Sequence, residues 1–277
     1  TDGDGGGLYN AGPVMASGIV VTDNQCGKNG GGIYNEGDSV IEDSTVANNE
    51  GEGGGGIFAT GNPATSLQIR GTTLSGNSAI GGGAISARVV TVNFTNSTIS
   101  GNNGADVGGG VYANGVVSLV NCSVVDNQAL GAEMFGGAGV NVFNSGSVSL
   151  ISGNEAGSEE GSREANCGCT GNQQNCVTGV RKIDTEGHNL SDDESCNLDA
   201  AGDLDDVVDA GIGPLADNEG PTLTHALLED SPAIDAGDDD ACPNNDQRGG
   251  IRPADGDEDG ELICDIGAFE LFPGYTD

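Results

Sequence analysis

Carboxylates at alternate positions can converge on one cation. Asp255-Gly256-Asp257-Glu258-Asp259-Gly260 places three of them in that spacing, with a glycine for the sharp turn. This is the opening of a calcium loop. Position twelve of the run is Ile266 rather than the glutamate that closes an EF-hand, and no helical pattern flanks it. We therefore expect Ca2+ in a non-EF loop, completed by Glu261 or Asp265. A second acidic group, Asp235, Asp238, Asp239 and Asp240, is a further candidate, and Asp2 with Asp4 is a weaker one. Asp203, Asp205 and Asp206 could join a site, but nothing in the sequence orders them. Arg248 and Arg252, in DQRGGIRP, could hold a substrate carboxylate. The plainer expectation is internal ion pairing with Asp246, Asp265 or Glu270, because a guanidinium fork suits a carboxylate in a buried corner.

The eight cysteines and two histidines do not form a zinc pattern, since Cys167-Gly168-Cys169 is too tight and neither His188 nor His225 completes a ligand set. An even cysteine count in an acidic, lysine-poor chain points instead to disulfides in an oxidising, extracellular compartment. Spacing does not determine the connectivity; we expect Cys242 with Cys264 and Cys176 with Cys196. The glycine triplets invite a phosphate-cradle reading, but a nucleotide loop needs a following helix and usually a lysine, and neither is present.

These residues need a scaffold, and residues 1–160 supply a repeat. GGGLYN at 5–10 returns as GGGIYN, GGGIFA, GGGAIS and GGGVYA, then in degenerate form at 136–140. The apolar residues after the glycines are Leu8, Ile33, Ile57, Ala84, Val111 and Val140, spaced 25, 24, 27, 27 and 29 apart. A turn ending in asparagine keeps phase with them, at Asn24, Asn48, Asn77, Asn102, Asn127 and Asn154. Between the markers lie short runs of period two, such as Val90-Thr91-Val92-Asn93-Phe94, which are strand signals, and no stretch has helical periodicity. About 25 residues per repeat, with short strands, describes one coil of a parallel β-solenoid. The expected fold is all-β: a right-handed parallel β-helix of about six coils over 1–160, with an irregular, disulfide-stabilised cap over 161–277 that continues it. The asparagines should form a ladder from coil to coil. Tyr9, Tyr34, Phe58 and Tyr112, one place after the apolar residue, form a stripe that either stacks on sugar rings or shields a corner.

With 43 acidic and 8 basic residues the net charge is −35, which excludes nucleic acid and anionic membranes as partners. No apolar run is long enough for a membrane helix. Residues 1–160 hold only Lys28, Arg70 and Arg88, on different coils, so no cleft of several cations for a polysaccharide lyase is evident.

The phrases GPLADNEGPTLTHALLEDSPAIDAG, CPNNDQRG, IRP and CDIGAFE resemble the C-terminal module of bacterial right-handed β-helix surface proteins of the choice-of-anchor Q family, over roughly 180–271. The GGGIYN and SGN repeats resemble the same family's β-helix and polymorphic outer-membrane protein repeats. The resemblance implies a secreted, surface-associated protein whose C-terminal module caps the solenoid. Members usually continue beyond GAFE into an anchor, whereas this chain stops at Asp277. It opens at Thr1 without Met, a signal peptide or a cap, as a processed segment would. Uncapped strand edges invite association. The expectation is an extracellular structural or adhesive protein, stabilised by calcium and self-associating end to end into a filament or sheath. The alternative is a carbohydrate-active β-helix that binds or cleaves a surface polysaccharide.

Overall fold

A computed structural model describes residues 2–129 and 185–275, with the strand pieces Val140–Asn141, Ser149–Ser152, Glu155–Ala156, Arg163–Glu164 and Cys167–Gly168 between them. No helix occurs among the described residues, and the strands stack in parallel into a β-solenoid of about 5 turns. In the first three coils one strand follows the glycines (Leu8–Asn10, Ile33–Asn35, Ile57–Thr60). A second follows a short turn (Val14–Ser17, Ser39–Glu42, Ser66–Arg70), and a third lies beyond a corner (Val20–Thr22, Thr45–Ala47, Thr73–Ser75). In the next two coils the first two strands fuse into Ile85–Thr95 and Val111–Val120. The short strands Ser78–Gly81, Asn103–Val107 and Gln128–Ala129 form a third face.

Each coil turns at three corners, and each corner residue has a left-handed backbone. The sets are Gly5, Gly18 and Asp23; Gly30, Asp43 and Asn48; Gly54, Gly71 and Gly76; Gly82, Asn96 and Gly101; and Gly108, Asn121 and Asp126, with φ from +46° to +71°. Only Gly, Asn and Asp enter that region at low cost, which is why these three types punctuate the repeat. The second glycine of each run has a different role. A Cβ on Gly31, Gly55 or Gly83 would strike a carbonyl oxygen of the adjoining coil, so two backbones meet there directly.

Stacking aligns the inward residues into aliphatic rows. Val21, Val46, Leu74, Ile99 and Val124 lie in register, as do Ile33, Ile57, Ile85 and Val111. The third member of the second row corrects the expectation of Ala84: the alanine takes the place of the third glycine, and Ile85 points inward. The ladder likewise runs through Asn49 rather than Asn48, which occupies the left-handed corner. Asn24, Asn49, Asn77 and Asn102 each donate Nδ2 to Oδ1 of the next asparagine, at 3.0, 2.9, 2.9 and 2.9 Å, ending on Asn127. The same Oδ1 atoms also accept the backbone N–H of the preceding asparagine. The 136–139 repeat and Asn154 lie outside the described residues.

Beyond this stack Leu190–Ser191 pairs with Leu150 and Ile151, and Leu204 bridges to Leu190. The chain then doubles back along the solenoid's flank, with one antiparallel pair, Ile212–Ala216 with Thr224–Leu227. Its seat is the outward row Thr73, Thr98 and Ser123, which it buries. Gln247 Nε2 donates to Thr73 Oγ1 at 2.9 Å, and its Oε1 accepts from Thr98 Oγ1 at 2.7 Å. Ala268 N donates to Ser123 Oγ at 3.1 Å. His225 Nε2 lies 2.9 Å from Ser100 Oγ, and its Nδ1 lies 2.8 Å from Gly213 O.

Cys242 and Cys264 are bonded, with Cα atoms 6.6 Å apart, as expected. The second pairing is corrected: Cys196 bonds to Cys167, Cα to Cα 4.9 Å, and Cys176 lies outside the described residues. This bond ties the Cys167–Gly168 strand to the start of the C-terminal segment, where Cys167 N also donates to Ser195 Oγ. Cys26 and Cys122 are free and buried in the solenoid. Disulfides of this kind mark a non-cytoplasmic protein, and no helix of the described residues is long and apolar enough to cross a membrane.

Candidate metal centre

The Asp255–Gly260 loop folds back on itself through side chains that accept backbone N–H groups. Asp255 Oδ2 accepts from Gly260 N at 3.1 Å, Asp257 Oδ1 from Asp259 N at 3.0 Å, and Asp259 Oδ1 from Glu261 N at 2.8 Å. Asp235 reaches this loop from 20 residues upstream in a left-handed conformation (φ +50°), and accepts from Asp257 N at 2.9 Å and Gly256 N at 3.4 Å. One carboxylate oxygen each from Asp235, Asp255 and Asp257 lie within 4.8 Å of one another. Oxygens bound to one calcium at 2.3–2.6 Å lie at most about 5 Å apart, so this spacing permits all three to share one ion. Asp255 Oδ1 is buried and has no hydrogen-bond partner, so a vacant acceptor points into the fold. Burial, and the negative charges of Asp257 and Asp255, raise the Asp235 pKa above its ordinary value.

The structure thus gathers one member from the second acidic run and two from the first. Asp259 and Glu261 stay exposed on the loop. Asp238 and Asp240 belong to another turn, where Asp238 Oδ1 accepts from Asp240 N. Asp239 accepts from Cys264 N at 2.9 Å, beside the Cys242–Cys264 bond. Asp4 Oδ1 receives both N–H groups of Asn29 at 3.0 Å, a rung between the first coils. Asp203 ties a turn, accepting from Thr185 Oγ1 and Asn189 N at 2.9 Å and from Ala200 N at 2.8 Å.

Asp265 lies under the cluster and is 1% exposed. Its Oδ1 accepts from Asp235 N at 2.8 Å and its Oδ2 from Leu271 N, so it positions Asp235 through the backbone. Beside it Glu270 accepts from Ala254 N at 2.7 Å and Asp265 N at 3.0 Å. Burial and the neighbouring Glu270 carboxylate push Asp265 up to about 8, and burial raises Glu270 as well. Arg252 faces both acids. Its Nε lies 3.1 Å from Glu270 Oε2 without aiming its hydrogen there, so the contact is an ion pair rather than a hydrogen bond, while Nη2 donates to Gly267 O at 2.8 Å. Arg248 pairs with Asp246 through Nε at 2.8 Å and stacks over Phe269, 3.6 Å from the ring centroid. The two arginines are internal partners of Asp246 and Glu270, as expected.

On the solenoid the aromatic stripe turns its rings on each other. Tyr9 and Tyr34 stack at 5.0 Å and 4°, and Tyr34 and Phe58 at 5.4 Å and 16°. Ring faces within the column are therefore occupied by rings. The Thr73–Thr98–Ser123 row and its partners Gln247 and His225 were not singled out in the sequence; the signal available was a hydroxyl residue at one phase of four successive repeats, from Thr45 to Ser123. No protein-family model, curated protein or solved structure matches this chain.

Proposed function

We propose that the protein is an extracellular structural or adhesive surface protein, a calcium-stabilised rod whose copies stack end to end into a filament or sheath. The observation that carries this reading is the coil-on-coil register. Leu8–Asn10, Val14–Ser17 and Val20–Thr22 each pair on one side among the described residues, next to exposed Tyr9, Met15 and Val20. Their other side offers the N–H and C=O pattern by which every coil joins the next, and such an edge accepts another strand. The added coil comes from a second copy in this reading; sequence ahead of Thr1 is the competing source. Calcium enters through Asp235, Asp255 and Asp257, where it would offset mutual repulsion and fill the open acceptor on Asp255. Backbone carbonyls and water would supply the remaining oxygens of the usual six to eight.

Negative-stain electron microscopy of the purified protein, with calcium and with excess chelator, tests the reading. Regular filaments in calcium that disperse in chelator are expected. Filaments that persist in chelator keep the stacking and remove calcium from the interface, and isolated short rods in both conditions overturn it. The calcium part has its own test: at a hundred times its dissociation constant the ion should add about 2.7 kcal/mol of stability. Asp255→Asn with Asp257→Asn should abolish that gain in a melting experiment.

A further inference from the structure

We propose that a hollow in the C-terminal segment, between residues 209–211 and 227–230, binds a small organic cation: an ammonium group carried on an aliphatic or aromatic body. This inference rests on neither calcium nor stacking. The hollow measures about 520 Å³. Ligand sites run from about 300 to 1,000 Å³, so the space suits one small molecule.

Its lining divides by depth. Leu227 and Leu271 are 3% and 6% exposed and belong to the apolar cluster that also holds Ile266 and Phe269. Tyr275 packs half-buried against that cluster, edge-on to Phe269 with ring centroids 5.4 Å apart. The exposed part of the lining is Leu228, Asp209, Glu229 and Asp230. The inner lining is therefore apolar and the outer lining largely acidic, and no Lys, Arg or His lines the space.

The two stretches that carry the acids are fastened to each other. Leu228 N donates to Gly211 O at 2.8 Å, and Ser231 Oγ donates to Ala210 O at 2.6 Å. Gly211 N donates to Asp209 Oδ1 at 2.8 Å, which holds that carboxylate beside the hollow. Gly211 has φ +60°, and a Cβ on it would strike Ser231 Cα at 2.7 Å, so the stretches meet backbone to backbone. Such a mouth is formed before a ligand arrives, which lowers the ordering cost of binding.

The walls select the ligand. None of the three carboxylates forms an ion pair with a described residue, so their charge is uncompensated there. They are not gathered for a metal ion either: the carboxylates that converge within 4.8 Å among the described residues are those of Asp235, Asp255 and Asp257. A spread negative rim above an apolar interior matches a cation with an apolar body. The body removes the surface of Leu227, Leu271 and Tyr275 from water, and the ammonium stays at the rim. Anions are repelled by the same rim and by the chain's net charge of −35.

The test is NMR titration of the 15N-labelled protein with phenethylammonium and hexylammonium. Methylammonium carries the charge alone, phenethyl alcohol the body alone, and phenylacetate the opposite charge. At least one of the two amphipathic cations should shift the Gly211, Leu228 and Tyr275 amides saturably, with a dissociation constant on the order of 1 mM. Phenethyl alcohol should bind about tenfold more weakly, and methylammonium and phenylacetate should not saturate. Salt at about 0.5 M should weaken the cation and leave the alcohol unchanged. Glu229→Gln with Asp230→Asn, both at exposed positions, should weaken the cation about tenfold without lowering the melting temperature. Methylammonium binding as well as the larger cations would reduce the effect to general counter-ion attraction, and phenethyl alcohol binding as well would reduce the hollow to an apolar one. Either result overturns the proposal, as does unchanged affinity in the double variant or no saturation by either amphipathic cation at about 50 mM.

Discussion

The Asn77 side chain makes four hydrogen bonds while wholly buried. Its Oδ1 accepts from Asn49 N and Nδ2, and its Nδ2 donates to Asn102 Oδ1 and Val46 O. Truncation to alanine removes all four; Asn102 Oδ1 keeps Asn77 N and Asn49 Nδ2 keeps Val21 O, but Asn49 N loses its acceptor in the interior, where an unmade hydrogen bond costs about 1–3 kcal/mol per group. Asn77→Ala should therefore lose about 3 kcal/mol or more, read as a fall in the urea midpoint. Asp265 carries a pH prediction. Its folded pKa, pushed to about 8 from an ordinary 3.8, means that the fold holds the proton more tightly than the unfolded chain does. That contribution to stability is complete below the ordinary carboxylate range and is lost as pH rises through about 8. Glu270 and Asp235, also raised by burial, act in the same direction. His225 acts oppositely: burial lowers its pKa from 6.5, so its contribution is lost only on acidification. Between about pH 6.5 and 8.5 the acids therefore decide. In chelator, the urea midpoint should fall across that range, and Asp265→Asn should flatten the slope.

Among the elements, the seat of the C-terminal segment is the consequential one. A row of hydroxyls at Thr73, Thr98 and Ser123 would be unremarkable on an exposed sheet. Here it is buried and bonded to Gln247, Leu223 O and Ala268 N. Gln247 is the hub, because it binds two coils and Thr222 together. Gln247→Ala should accelerate amide hydrogen exchange in Thr224–Leu227 and around 244–250 while leaving the Ile33 to Val111 rows protected. Equal acceleration in both regions would mean that the segment and the solenoid open as one unit. Strands and corners were legible in the sequence because their signals are local: period-two runs, and Gly, Asn or Asp where φ is positive. The register was legible to within one residue. It slipped at Ala84 against Ile85 and at Asn48 against Asn49, where neighbouring residues both fit the pattern and only pairing with the adjoining coil decides which faces inward. The fold-back was not legible, since Thr98 and Gln247 meet across 149 residues of sequence. The acidic loop was half legible. The Asp255 and Asp257 spacing is local, but the arrival of Asp235 depends on Asp265 beneath it.

At the scale of the whole molecule, a solenoid is nearly one-dimensional, because each coil touches only its neighbours and stability accumulates from coil and interface contributions. The charge of −35 works against that accumulation, and the Asn ladder and aliphatic rows oppose it at every step. The fold-back changes the arithmetic at one end only. It grips Thr73, Thr98 and Ser123, in the third, fourth and fifth coils, and among the described residues none of its hydrogen bonds reaches the first two coils. The molecule therefore has a direction. In an isolated copy of residues 1–277, fraying that starts at Leu8 can peel two coils with little hindrance and is arrested at the third, where further unwinding must first release a segment more than a hundred residues away in sequence. Under tension or heat it should behave as a zipper with a stop partway along its teeth: yielding at one end, abrupt beyond it.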